Sequence, residues 1–180
     1  MARKKRVRAI PVLVIVVVVM QLFPAKTTPR ATAPELSLEG AVPTTGEIGA
    51  LLRRGCYDCH GGPTNLPWYG RIAPGSWLVA HDINESMEYL DFSRWGELAA
   101  GRQAQMLREM ARETAGGKMP LGKYLWLHPE AHFTPAERET FRRWAEGEAD
   151  RIEAAWVAKF HPAAGADGPE GGGSERNDRE

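Results

Sequence analysis

The sequence predicts an all-α fold: a small domain of about four helices joined by long loops, preceded by an N-terminal membrane helix or signal. Four segments carry apolar residues at spacings of three and four, which is the periodicity of an amphipathic helix. No segment shows a convincing alternation of apolar and polar residues. The 13 Pro and 19 Gly residues, several of them clustered, place long irregular stretches between the helices. A chain of 180 residues allows one modest domain.

The N-terminus has the pattern of an export signal or membrane anchor. Five basic residues within positions 3–8 precede an apolar run over residues 9–23. That run covers about 22 Å, short of the ~30 Å hydrocarbon core, which favours a cleaved signal peptide. The A-x-A pattern Ala31-Thr32-Ala33 is followed directly by Pro34, which fits a cleavage site poorly. We therefore expect an uncleaved anchor, with a cleaved signal as the alternative, and a periplasmic position for the rest of the chain.

The charged residues are balanced in number but unevenly distributed. The first eight residues hold five basic residues and no acidic one, so the remainder carries 18 basic against 23 acidic residues. A mildly acidic body lacks the broad cationic surface that nucleic-acid binding requires. The charge distribution therefore argues against a nucleic-acid partner.

Composition divides the chain into four parts. Residues 1–24 form the predicted signal-anchor, and residues 25–43, rich in Pro, Thr, Ala and Ser, form a predicted flexible linker. Residues 162–180 are Gly-rich and polar, which predicts a disordered tail. The folded domain is then expected over residues 44–161.

The first two predicted helices of the domain flank the only two cysteines. Thr44 with Glu47 three residues later has the spacing of a capping box and predicts a short helix running toward Cys56. A second helix is expected after Pro74, where apolar residues follow one stripe: Trp77, Ala80, Ile83, Met87 and Leu90.

The other two predicted helices lie in the second half of the domain. One extends over residues 103–114, with Met106 and Met110 on its apolar face and a Gly pair after its end. The last helix has three start signals, since Thr134 is a favourable N-cap, Pro135 suits the first helical position and Glu137 completes a capping box. An aromatic and Pro-rich loop over residues 118–133 joins them.

Both cysteines fall in the segment Cys56-Tyr57-Asp58-Cys59-His60, which is the C-x-x-C-H signature of c-type haem attachment. Two thiols at this spacing can each add to a vinyl group of one haem, while the adjacent imidazole binds the iron. The segment predicts one covalent haem c held by Cys56, Cys59 and His60.

Three other chemistries fit the two cysteines less well. A thioredoxin-like site would need a βαβ context, which the sequence does not show. A zinc site built from Cys56, Cys59, His128 and His132 would have an unusually long gap between its two halves and leave His60 without a role. A disulfide across two intervening residues would be strained.

The second axial ligand of the iron is open at this stage. Met119 is the leading candidate, because it lies in the loop between two helices and a thioether ligand can approach the opposite face of the ring. His81 is its rival, and His128 and His132 are further alternatives. An open sixth position is the remaining possibility.

Aromatic and basic side chains are candidates for contacts with the porphyrin. Core packing explains the aromatic residues equally well, and exposure to solvent explains the basic ones better. The aromatic candidates are Trp68, Tyr69, Trp77, Trp95, Tyr124 and Trp126, and the basic ones are Arg71, Lys118 and Lys123.

Further motifs make the chain resemble the bacterial haem-binding domain family, small exported monohaem c-type proteins. The likeness spans about residues 55–145 and includes, besides Cys56 to His60, the segments Pro67-Trp68-Tyr69, Ile72-Ala73-Pro74, Ser76-Trp77, Asp91-Phe92-Ser93-Arg94-Trp95, Met119-Pro120, Tyr124, His128-Pro129-Glu130-Ala131 and Trp144. The resemblance implies a cytochrome c-like fold, one covalent haem, His60 as proximal ligand and Met119 as distal ligand. In one departure, Ser86-Met87 stand where Gly-Arg is expected, so an arginine able to meet a haem propionate is absent.

The function expected from the sequence is that of a monohaem c-type cytochrome. It would carry single electrons at the outer face of the cytoplasmic membrane, exchange them with membrane-bound redox proteins and catalyse no substrate chemistry, so we expect no enzyme. An open-site haem protein, acting as a peroxidase-like enzyme or a gas or redox sensor, is the alternative. A metal-binding or structural module without haem is the third possibility.

Overall fold

The computed structural model describes residues 2–27, 33–44, 46–62 and 66–160. Within these ranges the chain is helical and contains no strand, which confirms the all-α prediction. The α-helices of the described ranges are α1 Ala2–Met20, α2 Leu38–Ala41, α3 Gly46–Gly55, α4 Tyr57–His60, α5 Gly75–Tyr89, α6 Ala100–Ala115, α7 Gly122–Leu127 and α8 Pro135–Phe160. Short 3-10 segments lie at Pro34–Leu36, Trp68–Arg71, Phe92–Glu97 and Pro129–Ala131.

The four predicted helices of the domain correspond to α3, α5, α6 and α8. At the start of α8 the capping box forms in both directions, since the Thr134 amide donates to Glu137 Oε2 at 2.7 Å and the Glu137 amide donates to Thr134 Oγ1 at 3.2 Å. After α6 the chain reverses at Gly117, whose φ of 70° is readily adopted only by glycine.

The core is built on an antiparallel pair of long helices, α6 and α8. Arg138, near the start of α8, donates to the carbonyl of Thr114 near the end of α6 at 2.7 Å. Further along, Arg108 of α6 pairs with Asp150 of α8 at 2.8 Å, so the two helices run in opposite directions. The pair and the elements around it contribute fully buried side chains to the core: Leu38, Leu51, Leu52, Phe92, Trp95, Met106, Leu107 and Phe141.

The predicted flexible linker over residues 25–43 is in part a packed portion of the domain, which corrects that prediction. Leu38 and Val42, one helical turn apart on and after α2, are buried in the core. The carbonyl of Pro43 accepts a hydrogen bond from Trp144 Nε1 at 3.0 Å. The C-terminal part of the predicted linker therefore belongs to the packed domain. Residues 28–32 and the predicted tail at 162–180 lie outside the described residues.

Residues 9–20 of the N-terminal apolar run are helical, as part of α1, and residues 21–23 form a turn after it. Among the described residues, no helix combines the length and the apolar character needed to cross a bilayer. The anchor predicted from the sequence is therefore not confirmed.

Candidate functional site

The cysteine segment opens onto a cleft with about 780 Å³ of empty space, part of it continuous with solvent. We call this space the central cleft. Its walls come from α4, the C-terminal end of α5, one face of α6 and residues 119–124. Its lining is mostly apolar and includes Leu90, Phe92, Pro120, Leu121 and Phe141.

A single helical turn brings the three residues of the signature to the central cleft. The His60 amide donates to the Cys56 carbonyl at 2.9 Å, which closes the turn that continues as α4. Residues three and four positions apart lie on the same face of a helix. Cys56, Cys59 and His60 accordingly all line the central cleft.

The backbone orients the His60 ring. His60 Nδ1 lies 2.7 Å from the carbonyl oxygen of Leu90, where α5 ends, and because that oxygen can only accept, Nδ1 carries the proton and donates. Burial lowers the pKa of the imidazole below its usual range. The neutral tautomer that results has its free lone pair on Nε2, the form in which histidine binds a metal.

The two thiols are free and protonated. Burial raises the pKa of Cys56 to about 12. Burial also raises the pKa of Cys59 to about 11, with a further contribution from the carboxylates of Asp58 and Asp82. Thiol–disulfide chemistry requires a low-pKa thiolate. These environments therefore argue against the thioredoxin-like alternative.

Three methionine thioethers line the central cleft together with the signature residues. Met119 comes from the segment after α6, where its amide donates to the Glu113 carbonyl at 3.1 Å. Met106 and Met110 come from α6 itself. Met106 is packed in the core, whereas Met110 and Met119 are partly exposed. The sequence placed Met106 and Met110 on an apolar helix face, a pattern that does not distinguish a core residue from one lining a cavity.

The sequence profile of the haem-binding domain family matches residues 15–147. The chain belongs to this haem-binding domain family. The match contains every residue predicted to bind the cofactor, from Cys56 to Met119. No curated protein and no solved structure was found to match the chain.

The donor set of this haem-binding domain fits a haem. Two thiols three residues apart are available for thioether bonds, and His60 offers an unprotonated Nε2. Three thioethers provide a soft ligand from the other elements of the central cleft. The apolar lining suits a porphyrin, which is itself a large apolar surface.

The histidines considered as alternative ligands do not line the central cleft. The His81 side chain is 72% exposed and lies 3.7 Å from Glu85. His128 Nε2 lies 2.6 Å from the Tyr69 hydroxyl and Nδ1 lies 3.0 Å from Glu130, so both nitrogens have partners. His132 is exposed. None of these imidazoles therefore shares the central cleft with the signature.

The zinc hypothesis is wrong for the described part of the chain. It requires the donor atoms of Cys56, Cys59, His128 and His132 to come together. Within the described ranges, only His81, Asp82 and Glu85 have three potential donor atoms within 4.8 Å of one another. These three residues lie on α5, outside the central cleft.

The aromatic wall of the haem-binding domain differs from the predicted one. Of the six aromatic candidates, Tyr124 lines the central cleft, while Trp95 is buried in the core and Trp68 and Trp126 are exposed. The other aromatic residues of the lining are Tyr89, Phe92 and Phe141. The sequence analysis did not propose these three as haem contacts, and Phe92 appeared there only within a segment shared with the haem-binding family.

The basic candidates Arg71, Lys118 and Lys123 do not line the central cleft. Lys118 lies 3.4 Å from Glu113, and Lys123 lies 2.7 Å from Asp82. The charged residues of the lining are acidic, namely Glu109 and Glu113. The sequence did not predict this acidic contribution.

A side-chain hydrogen bond connects α7, which follows Met119, to α4, which carries the signature. The Tyr124 hydroxyl of α7 donates to Asp58 Oδ2 of α4 at 2.8 Å. The Tyr124 ring also stacks on His128, with centroids 4.2 Å apart. Asp58 lies between the two cysteines, so this bond fastens the segment after Met119 to the signature itself.

Proposed function

We propose that the chain is a monohaem c-type cytochrome. Haem would be bound covalently through Cys56 and Cys59, with His60 and Met119 as the axial ligands. The observation that supports this assignment best is that these four residues, from two separate parts of the chain, line one apolar cleft. When bound, the haem supplies one-electron exchange between Fe(III) and Fe(II).

The protein's own residues would tune that exchange. The Leu90 carbonyl fixes the His60 tautomer and raises the basicity of the ring as a ligand. A Met/His ligand pair and the exclusion of water by apolar walls both raise the reduction potential. Glu109 and Glu113 oppose this effect, because nearby negative charge stabilises the oxidised state.

We further propose that the protein works at the outer face of the cytoplasmic membrane, in the periplasm. The basic N-terminus and the apolar run after it support an anchor in this orientation. Confinement near the bilayer would raise the effective concentration of the haem toward membrane-bound redox partners.

A redox titration with a ligand-binding assay tests this function. The holoprotein should show one reversible single-electron transition, and the reduced form should resist carbon monoxide, because both axial positions are taken. Rapid and complete carbon monoxide binding without denaturant would instead support the open-site alternative, a peroxidase-like enzyme or a gas or redox sensor. No feature of the described residues specifically favours that alternative.

A further inference from the structure

The chain that leaves α1 is fastened to the haem-binding domain at once. Gln21, the first residue after α1, pairs with the backbone of Ala73 in both directions: Ala73 N–H donates to Gln21 Oε1 at 3.0 Å, and Gln21 Nε2 donates to the Ala73 carbonyl at 3.2 Å. Trp77 Nε1 donates to the Phe23 carbonyl at 2.7 Å. These bonds leave no spacer between α1 and the domain.

The fastened segment follows the axis of α5. Asn84 Nδ2 donates to the Lys26 carbonyl at 3.0 Å, seven residues beyond Trp77 on the same face of α5. Those seven residues rise about 10.5 Å. The three residues from Phe23 to Lys26 span about 10 Å when extended. The start of α5 therefore lies beside the end of α1, and the chain runs along α5 away from α1.

Large apolar side chains are exposed in the segments that make these bonds and in the residues next to them. Trp68 is 74% exposed, Leu78 is 52% exposed and Phe23 is 66% exposed. Ile72, next to Ala73, is also exposed, and the basic residues Lys26 and Arg71 lie in the same stretches. Trp beside apolar residues, with basic residues nearby, is typical of a membrane–water interface.

We propose that this face, formed by Phe23, Trp68, Ile72, Trp77 and Leu78 and called the junction face below, rests in the interfacial region of the bilayer that α1 enters. The inference rests on the anchor included in the proposed function and goes beyond it. The predicted tether would let the haem move freely, whereas the junction face holds the domain against the lipid.

The same arrangement sets the position of the central cleft. Tyr89, at the far end of α5, lines the cleft and is twelve residues from Trp77, about 18 Å along the helix axis. With the junction face resting on the lipid, the haem would keep a constant position relative to the membrane. Its redox partner would have to reach the haem in that position.

Photo-crosslinking of the full-length holoprotein in vesicles of phosphatidylethanolamine and phosphatidylglycerol tests the proposal. p-Benzoylphenylalanine replaces Trp68 in one variant and Glu88, an exposed residue near the far end of α5, in the control. After illumination, mass spectrometry should find several-fold more phospholipid adduct at position 68 than at position 88. Equal labelling at both positions, or adducts with a second copy of the chain instead of lipid, would overturn the inference.

A second variant separates the hydrogen bonds from the apolar surface. Gln21→Leu with Trp77→Phe removes the Gln21 amide group and the Trp77 indole N–H and leaves apolar side chains at both positions. Labelling at position 68 should fall several-fold in this background, with the haem spectrum unchanged. Vesicle sedimentation separates a failure of the anchor from a failure of the junction face. If the protein does not sediment with vesicles, the anchor is contradicted. If it sediments but shows no lipid labelling at position 68, only the junction face is contradicted.

Discussion

The two sides of the central cleft are built in different ways. The proximal side is five consecutive residues on one helical turn, and His60 is oriented by a backbone carbonyl. The proposed distal ligand would come from elsewhere in the lining, where there are three thioethers, two from α6 and one from the segment that follows it. A short motif can therefore specify the proximal side alone, whereas the distal side depends on how α6, α7 and their connection pack.

The change with the largest expected effect removes the proximal attachment. Cys56→Ala combined with Cys59→Ala should abolish covalent haem, because neither thioether can form. Haem staining on a denaturing gel measures this, and each single variant should keep a reduced stain. A double variant that stains like the parent protein would contradict haem attachment through Cys56 and Cys59.

Removing the proximal imidazole should have the next largest effect. His60→Ala takes away the ligand held by Leu90 and should change the absorption spectrum of the haem in both oxidation states. His81→Ala is the matched control, since His81 is exposed on α5 and does not line the cleft. If the control variant changed the spectrum as much, the proximal ligand would have been assigned wrongly.

A pair of substitutions tests which methionine is the second ligand of the iron. Met119→Ala should abolish the weak far-red band of thioether-ligated ferric haem and lower the reduction potential, since a sulfur ligand favours Fe(II). Met110→Ala removes a thioether from the same cleft without touching the proposed ligand. If the Met110 variant lost the band and the Met119 variant kept it, Met110 of α6 would be the ligand in place of Met119.

The contrast between the sides also explains what the sequence could predict. Amphipathic spacing and capping residues found α3, α5, α6 and α8, and the C-x-x-C-H spacing found three residues of the cleft, because these signals are local. Leu90 as the partner of His60, and Met110 and Phe141 as walls, follow from tertiary packing between distant segments. The burial of Leu38 and Val42 was missed because their Pro-rich surroundings are typical of a linker.

The smallest expected effect comes from the bond between the two sides. Tyr124→Phe removes the hydroxyl that donates to Asp58 but keeps the ring, and should cost about 1 kcal/mol of stability. The far-red band should disappear at a lower denaturant concentration than in the parent protein. Tyr89→Phe is the comparison: it loses a hydrogen bond to Glu109 in an exposed part of the cleft lining, and that bond joins α5 to α6 without reaching the signature. Equal shifts in both variants would show that the Tyr124–Asp58 bond does not couple the sides.

Intact-protein mass spectrometry, combined with an absorption spectrum, is the most direct test of whether one haem is covalently attached to the chain. The protein should be purified from a host with complete haem-ligation machinery. We expect one haem of added mass per chain, retained under denaturing conditions, and a spectrum typical of imidazole and thioether ligands. A colourless chain with the mass of its amino acids alone would contradict this expectation.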